Sequence, residues 1–380
     1  MLNKPVSEID WFGGKAPWAA LNPRTPESDA RALLSSLKTA TGLEPKIAGH
    51  IFLATSGTTS APKWVALSRQ ALLSSARAVV SRLKITGQDR WLQSLPSFHV
   101  GGLAVHARAA IAGFEIVDGA SDFGLVRWDP IAFRHVLSDS GATLTSFVPT
   151  QIFDLVRAEL RAPDTLRAVI VGGGALSLEL AARARALGWR VLASYGMTET
   201  ASMIALSREG SDDLEVLDHV EVGADSDGVL KIRGASLLTA YVFADASGAG
   251  RVEFPISDGW FQTEDRVELD AQLIRPLGRK TDFVKIGGES VHLARLEQIF
   301  SELLFAHAEI PAQAVALFSA PDDRLGSCIE LMVEDSVSDP AAIQLLISKF
   351  NSAVLPFERI RATRIVTAIS RTELGKLKRV

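Results

Sequence analysis

Cysteine is almost missing from this 380-residue chain: Cys328 is the only one. A single thiol closes no internal disulfide and builds no cysteine zinc cage, so a reducing, cytoplasmic setting is expected. A basic excess is also missing. Forty Lys and Arg stand against 44 Asp and Glu, a net charge of −4, which argues against a general nucleic-acid binder. No stretch of about 18 uncharged apolar residues occurs, so no membrane insertion is expected. Met1–Trp11 carries acids and no apolar core, unlike a secretory signal. Internal repeats and low-complexity tracts are lacking too. What remains is a globular composition, 47% hydrophobic and 22% charged, with apolar residues enough for sizeable cores. At roughly 100–200 residues per domain, the length suggests two domains.

After a weakly periodic start with a short helix at Ala30–Leu37, strand and helix patterns alternate. Ile51–Ala54, Trp91–Leu95, Phe114–Val117, Thr143–Phe147, Leu166–Val171 and Arg190–Ala193 read as strands. Ser68–Leu83, with Ser68 as the cap, Val100–Ala112, Ile131–Leu137, Pro149–Leu160 and Ser177–Leu187 read as helices. This order points to a largely parallel sheet. From Leu214 to Arg275 short β-type runs broken by Gly, Asp and Ser suggest a small antiparallel sheet or barrel. Beyond Arg279, Leu293–Leu304 and Pro340–Val354 read as helices, and Ala314–Phe318 and Ile329–Val333 as strands.

The strongest local signal is Thr55-Ser56-Gly57-Thr58-Thr59-Ser60-Ala61-Pro62-Lys63, read as a loop between a strand and a helix. Hydroxyls, glycine-freed amides and a lysine suit a polyphosphate. A Walker loop is excluded, because Pro62 stands where that motif needs glycine and Trp64 where it needs Ser or Thr. Gly172-Gly173-Gly174-Ala175 follows a strand, but Ser177 replaces the last glycine of a dinucleotide fingerprint. Further along stand Ser97-Phe98-His99-Val100-Gly101-Gly102-Leu103, Ser194-Tyr195-Gly196-Met197-Thr198-Glu199-Thr200, Phe261-Gln262-Thr263-Glu264-Asp265, Gly278-Arg279-Lys280-Thr281-Asp282, Gly287-Gly288-Glu289 and Ser370-Arg371-Thr372-Glu373-Leu374-Gly375-Lys376. Taken alone, His99 reads as a structural side chain, Glu199 as a surface acid, Asp265 as a turn residue, Gly287 as a hairpin turn and Lys376 as a solvated tail.

Taken together and in this order, the segments resemble the adenylate-forming superfamily of acyl-CoA synthetases, luciferases and peptide-synthetase adenylation domains. The resemblance runs from about residue 50 to residue 380. Ser60, Trp64 and Glu264 depart from its glycine positions, and Thr281 stands at the hinge position that usually holds Asp or Lys. The implied fold is α/β: a large N-terminal domain of layered α/β sheet with a small β-rich lobe, followed by a smaller, mobile α+β C-terminal domain. The implied boundaries are 1–278, abbreviated at its start, and 279–380.

The resemblance also implies roles. Thr55, Ser56, Gly57, Thr58, Thr59 and Lys63 hold the β- and γ-phosphates of ATP. Gly173, Gly174, Ala175, Ser194, Tyr195, Gly196 and Met197 surround the adenosine, with Tyr195 stacked on adenine. Thr198 meets the α-phosphate and Glu199 ligates Mg2+. Asp265 and Arg279 contact ribose, and His99 lies beside the acyl pocket. Gly288 lines the coenzyme A passage, and Lys376 is the catalytic lysine. The implied activity is an AMP-forming acid–thiol ligase with a small carboxylic acid and coenzyme A as partners, and a homodimer is among the states the resemblance allows. Within the superfamily, the F-H-V-G-G-L run, the Gly-Gly-Glu run and the short length look most like the o-succinylbenzoate–CoA ligases of menaquinone biosynthesis. There Arg108, His106 and Ser202 become candidates for holding a second carboxylate. Two alternatives stay open: loading of a carrier-protein phosphopantetheine, and a non-catalytic nucleotide-binding relative.

Overall fold

The computed structural model describes residues 5–23, 25, 27–55, 63–125, 127–243, 251–279, 283–287, 289–305, 307, 310–337, 339–371 and 377. The fold is mixed α/β. The chain divides into two compact units, the first formed by Met1–Leu176, Arg183–Thr263 and Glu268–Arg275, the second by Ser177–Ala182, Glu264–Val267 and Pro276–Val380.

In the first unit, short strands line up in parallel in the order Glu115–Asp118, Arg90–Gln93, Leu144–Phe147, Ala168–Val171 and Val191–Met197, the first an edge strand with exposed ends. Leu144–Phe147 and Ala168–Val171, buried at every position, are rich in apolar or β-branched residues, as strands covered on both faces require. Helix Arg69–Leu83 is capped by Ser68, whose hydroxyl accepts from the Ala71 amide. It packs with helix Val100–Ala112 over a core of Val79, Trp91, Val105, Leu144, Ile170, Leu192 and Met203. At Val191–Met197 the pairing changes sign, because Ser202–Ser207 runs antiparallel to it. The sheet then continues through Leu214–Val216, the first-unit parts of Leu273–Arg279 and Trp260–Asp270, and on to Val229–Gly234 and Val220–Ala224. Of the short β-type runs after Leu214, those at Leu214–Val216, Val220–Ala224 and Val229–Gly234 therefore extend the main sheet, whereas Ala240–Phe243 and Arg251–Glu253 join the second sheet.

A second sheet holds Trp18–Ala20, Ile51–Thr55, Lys63–Leu67, Ala240–Phe243 and Arg251–Glu253. Helix Glu27–Leu43, longer than its apolar pattern suggested, covers it through Leu33, Leu37 and Ala40. Two expectations are corrected here. The Ser/Thr-rich segment does not lead straight into a helix: Thr55 ends one strand and Lys63 opens its antiparallel partner, the two residues facing each other in register. Nor does Trp64 belong to the loop. It is the second residue of that strand, 0% exposed, with its indole N–H donating to Leu33 O at 2.8 Å. A large buried ring stabilises by its apolar area, and its one polar atom is satisfied.

In the second unit, the hairpin Phe283–Ile286/Glu289–His292 turns at Gly287. Helices Leu293–Leu304 and Pro340–Ala353 and the sheet Val315–Asp322, Gly326–Glu334, Ile360–Val366 complete it. Ile286, Leu296, Phe300, Leu317, Ile329, Leu331, Leu346 and Phe350 form its core.

Candidate active site

The segment Ser194–Thr200 lies where parallel pairing gives way to antiparallel. A bulge between Tyr195 and Gly196 re-aims the side chains that follow it. The chain then reverses through a tight turn at Thr198–Thr200 into Ala201 and Ser202, with φ of 53° and 107°. Neither residue is glycine, and such backbone costs about 1–3 kcal/mol per residue unless the surroundings impose it. They do: Thr200 Oγ1 donates to Ser202 O at 2.7 Å and accepts from Met197 N at 3.1 Å. A Cβ on Gly196 would overlap the Ser202 carbonyl, so only glycine lets the two strands approach.

Gly172–Gly174 leaves the neighbouring parallel strand beside this motif. The Gly172 amide donates to Phe147 O at 3.0 Å, and Ser194 Oγ donates to Val171 O at 3.0 Å. A Cβ on Gly172 would stand 2.7 Å from Ser194 Oγ. The glycine loop and Ser194 are thus joined at the carboxyl ends of adjacent parallel strands, the usual place for a ligand in an open α/β sheet. Ala175 follows the loop and is exposed, and Tyr195 is half-buried.

The turn carries Glu199 toward the second sheet. Its backbone carbonyl accepts from Leu238 N at 2.8 Å, and its carboxylate accepts from Tyr241 Oη at 3.0 Å. The Lys63 ammonium lies 3.7 Å from the centre of the same tyrosine ring. Thr55 Oγ1, at the opposite strand end, is buried and has no hydrogen-bond partner among the described residues. Ser56, Gly57, Thr58 and Thr59 lie outside the described residues, as do Gly288, Thr281 and Lys376.

The acyl-side helix begins at His99, whose carbonyl accepts from the Gly102 and Leu103 amides and whose ring tilts against Phe98 at 4.7 Å. Two further residues of that helix were candidates. His106 turns to Ser97 Oγ at 3.2 Å, and burial pulls its pKa down. Arg108, two residues on and about 200° around the helix, points elsewhere. It is 1% exposed, donates to Ser202 Oγ at 3.4 Å and lies 5.2 Å from the centre of the Trp91 ring. Its Nε has no hydrogen-bond partner, no carboxylate among the described residues pairs with it, and burial draws its pKa down to about 10. Arg108 and Ser202 therefore meet; His106 is not part of that pair.

In the second unit, Asp265 lies half-buried on strand Trp260–Asp270 next to Arg266, whose guanidinium covers the Phe283 ring at 5.6 Å. Arg279 ends strand Leu273–Arg279. The start of the C-terminal motif is anchored where Arg371 donates to Val315 O at 2.8 Å.

Glu199 supplies a carboxylate with hydroxyl-bearing neighbours in sequence, a hard oxygen donor set of the kind magnesium takes. A cavity of about 250 Å³ near the amino ends of the parallel strands is lined by Arg82, Arg167 and Arg208, but Glu215 and Asp89 already pair these cations.

Residues 42–233 match the AMP-binding enzyme family. The chain belongs to that family. A probable 2-succinylbenzoate–CoA ligase of Mycobacterium tuberculosis is 30% identical over 379 residues, 97% of this chain and 91% of its own length. The 2-succinylbenzoate–CoA ligase of Bacillus subtilis is 30% identical over 286 residues, 71% of this chain, and the match spans only 55% of that relative. Among solved structures, the B. subtilis o-succinylbenzoate coenzyme A synthetase in complex with AMP superimposes with a TM-score of 0.71 at 26% identity, covering 87% of this chain and 68% of that one. The same enzyme with its acyl-adenylate intermediate gives 0.75 at 23% identity, which supports the fold. This AMP-binding enzyme thus has its Ser194–Glu199 motif, glycine loop and Lys63 strand together in one unit. Tyr241 is the residue that sequence reasoning passed over. Its only signal was an aromatic pair, Tyr241 and Phe243, alternating on a short strand.

Proposed function

We propose that the chain is an AMP-forming acid–thiol ligase that adenylates o-succinylbenzoate with ATP and Mg2+ and passes the acyl group to coenzyme A. The observation that carries the choice of acid is Arg108. An acid with two carboxylates needs one free to react and a cation for the other. A buried arginine that no carboxylate among the described residues pairs, aimed at the turn that bears Glu199, is such a cation. The relatives named for 2-succinylbenzoate support the same choice.

In this reading Thr55, Ser56, Gly57, Thr58, Thr59 and Lys63 hold the leaving pyrophosphate. Gly173, Gly174, Ala175, Ser194, Tyr195, Gly196 and Met197 seat the adenosine, and Asp265 and Arg279 bind ribose. Thr198 donates to the α-phosphate, and His99 borders the acid. Glu199 would hold the magnesium, which when bound would supply positive charge against the phosphate oxygens. Lys376 adds a second positive charge there; such preset charge is a large share of this kind of catalysis. Domain boundaries at 278/279, rotation about Thr281, thiol entry past Gly288, a cytoplasmic location and a homodimer complete the proposal.

The test is pyrophosphate release with ATP, magnesium and a panel of acids, with and without coenzyme A. Release that depends on o-succinylbenzoate, with thioester and AMP appearing only when coenzyme A is added, is the expected result. Silence across the panel while ATP still binds overturns the ligase.

A further inference from the structure

We infer that Tyr241 is a positioning residue that sets Glu199 and Lys63 at once, its hydroxyl fixing the carboxylate and its ring holding the ammonium. This rests on the ligase reading of the same site. The two contacts are Tyr241 Oη to Glu199 Oε1 at 3.0 Å and Lys63 Nζ to the ring centre at 3.7 Å. They come from three separate chain segments, and the backbone ties those segments together. Leu238 N donates to Glu199 O and Thr239 N to Ala66 O, both at 2.8 Å. Lys63 faces Phe243 across the strand pair, 5.8 Å from that ring, and Tyr241 faces Val65. Side chains two apart on a strand share a face, so Tyr241 and Phe243 form one aromatic floor beneath the lysine.

The two contacts reinforce each other. A phenol that donates to a carboxylate gains electron density, which strengthens the attraction of its face for a cation. The same ring touches both opposite charges and gives each a partner that is not the other. Without it, Lys63 and Glu199 would be drawn into a direct ion pair, removing the lysine from phosphate and the carboxylate from magnesium. Tyr241 therefore keeps both groups poised without neutralising either.

Two variants separate the contacts. Tyr241→Phe keeps the ring and loses the hydroxyl. It should raise the magnesium concentration for half-maximal ATP binding, read by calorimetry, roughly tenfold, the scale of one charge-assisted hydrogen bond. The ATP affinity at saturating magnesium should change by less than about twofold. Tyr241→Leu removes both contacts and should weaken ATP binding at saturating magnesium as well. The chain has only two tyrosines, Tyr195 and Tyr241, so 13Cζ-tyrosine labelling gives two NMR signals, assigned with Tyr241→Phe. The Tyr241 signal should shift in Glu199→Gln and, separately, in Lys63→Met, before any nucleotide is added. An unchanged magnesium requirement in Tyr241→Phe, or a Tyr241 signal indifferent to both substitutions, overturns the inference. If those shifts appear while the wild-type chain releases no pyrophosphate with any acid, the coupling stands and the ligase reading falls.

Discussion

Arg108 donates to Ser202 Oγ at 3.4 Å, so the most deeply buried guanidinium among the described residues is tethered to a residue held at a φ of 107°. Neither is a cheap arrangement. A buried cation that no carboxylate among the described residues pairs carries an uncompensated desolvation cost; even a buried ion pair replaced by packed apolar side chains is often neutral or stabilising by about 1–4 kcal/mol. Arg108→Met should therefore melt higher than the native chain while kcat/KM for o-succinylbenzoate falls at least about a hundredfold. Adenylation of any monocarboxylic acid the chain accepts should fall far less. Thermal unfolding and pyrophosphate release on one preparation check both halves. A variant that melts lower with activity intact would assign Arg108 to structure alone.

Gly196 has no room for a side chain beneath the Ser202 carbonyl. Gly196→Ala must push the two strands apart, at about 1–3 kcal/mol for overpacking. The displacement falls on the turn carrying Thr198 and Glu199, so ATP binding should weaken more than stability alone would explain. Calorimetric titration with ATP, done well below the melting temperature, distinguishes the two. Binding equal to that of the native chain would show that the turn tolerates the shift.

The parallel half of the main sheet was legible because each strand is a short apolar run between turn residues, and Val100–Ala112 and Leu293–Leu304 came out at the observed bounds. The strand Lys63–Leu67 was not legible. Its first residue is taken up by a loop signal that runs through Lys63, and its remaining residues are all buried, so Trp64-Val65-Ala66-Leu67 shows no period. Tyr241 escaped for a similar reason: what gives it meaning is its register against Lys63 and its reach to Glu199, 42 residues earlier. Long-range pairing of this kind leaves no local trace. The Ser194–Glu199 segment was visible, but its strain and bulge were not, since both arise from the antiparallel return strand.

Trp64 offers a direct check on the corrected reading of the phosphate loop. Its ring is fully buried under helix Glu27–Leu43, and its N–H is satisfied by Leu33 O. Trp64→Ala should cost about 3–5 kcal/mol of stability, as for a large aromatic removed from a core. Trp64→Gly, which restores the residue seen in the resembled loop, should cost at least as much and yield no faster catalysis. A Trp64→Gly variant that is stable and more active would return this position to the loop.

Lys376 separates the two half-reactions of the proposal. Lys376→Ala should abolish pyrophosphate release from ATP and acid, while thioester formation from supplied acyl-AMP and coenzyme A stays within a few-fold of native, on the order of less than 1 kcal/mol. Equal loss of both steps would sink the assignment of separate poses to the two half-reactions.

Acid should destabilise the chain, and two histidines give the window. Burial, aided by the charge of Arg69, lowers His50 from 6.5 to about 4. Burial also lowers His219 from 6.5 to about 4, against the opposing pull of Asp218. Unfolding frees each imidazole to take a proton near 6.5, whereas the folded chain protonates them only near 4. Between those values the unfolded state binds more protons, so stability falls as the pH drops through that range and the loss is complete below it. His50 Nε2 lies 2.6 Å from Thr239 Oγ1, a contact that a glutamine amide can replace without titrating. His50→Gln should therefore lose less melting temperature than the native chain between pH 7 and pH 5, by about the share one such group contributes. Parallel melting curves across that range would assign the acid sensitivity to other groups, with His219 the next to substitute.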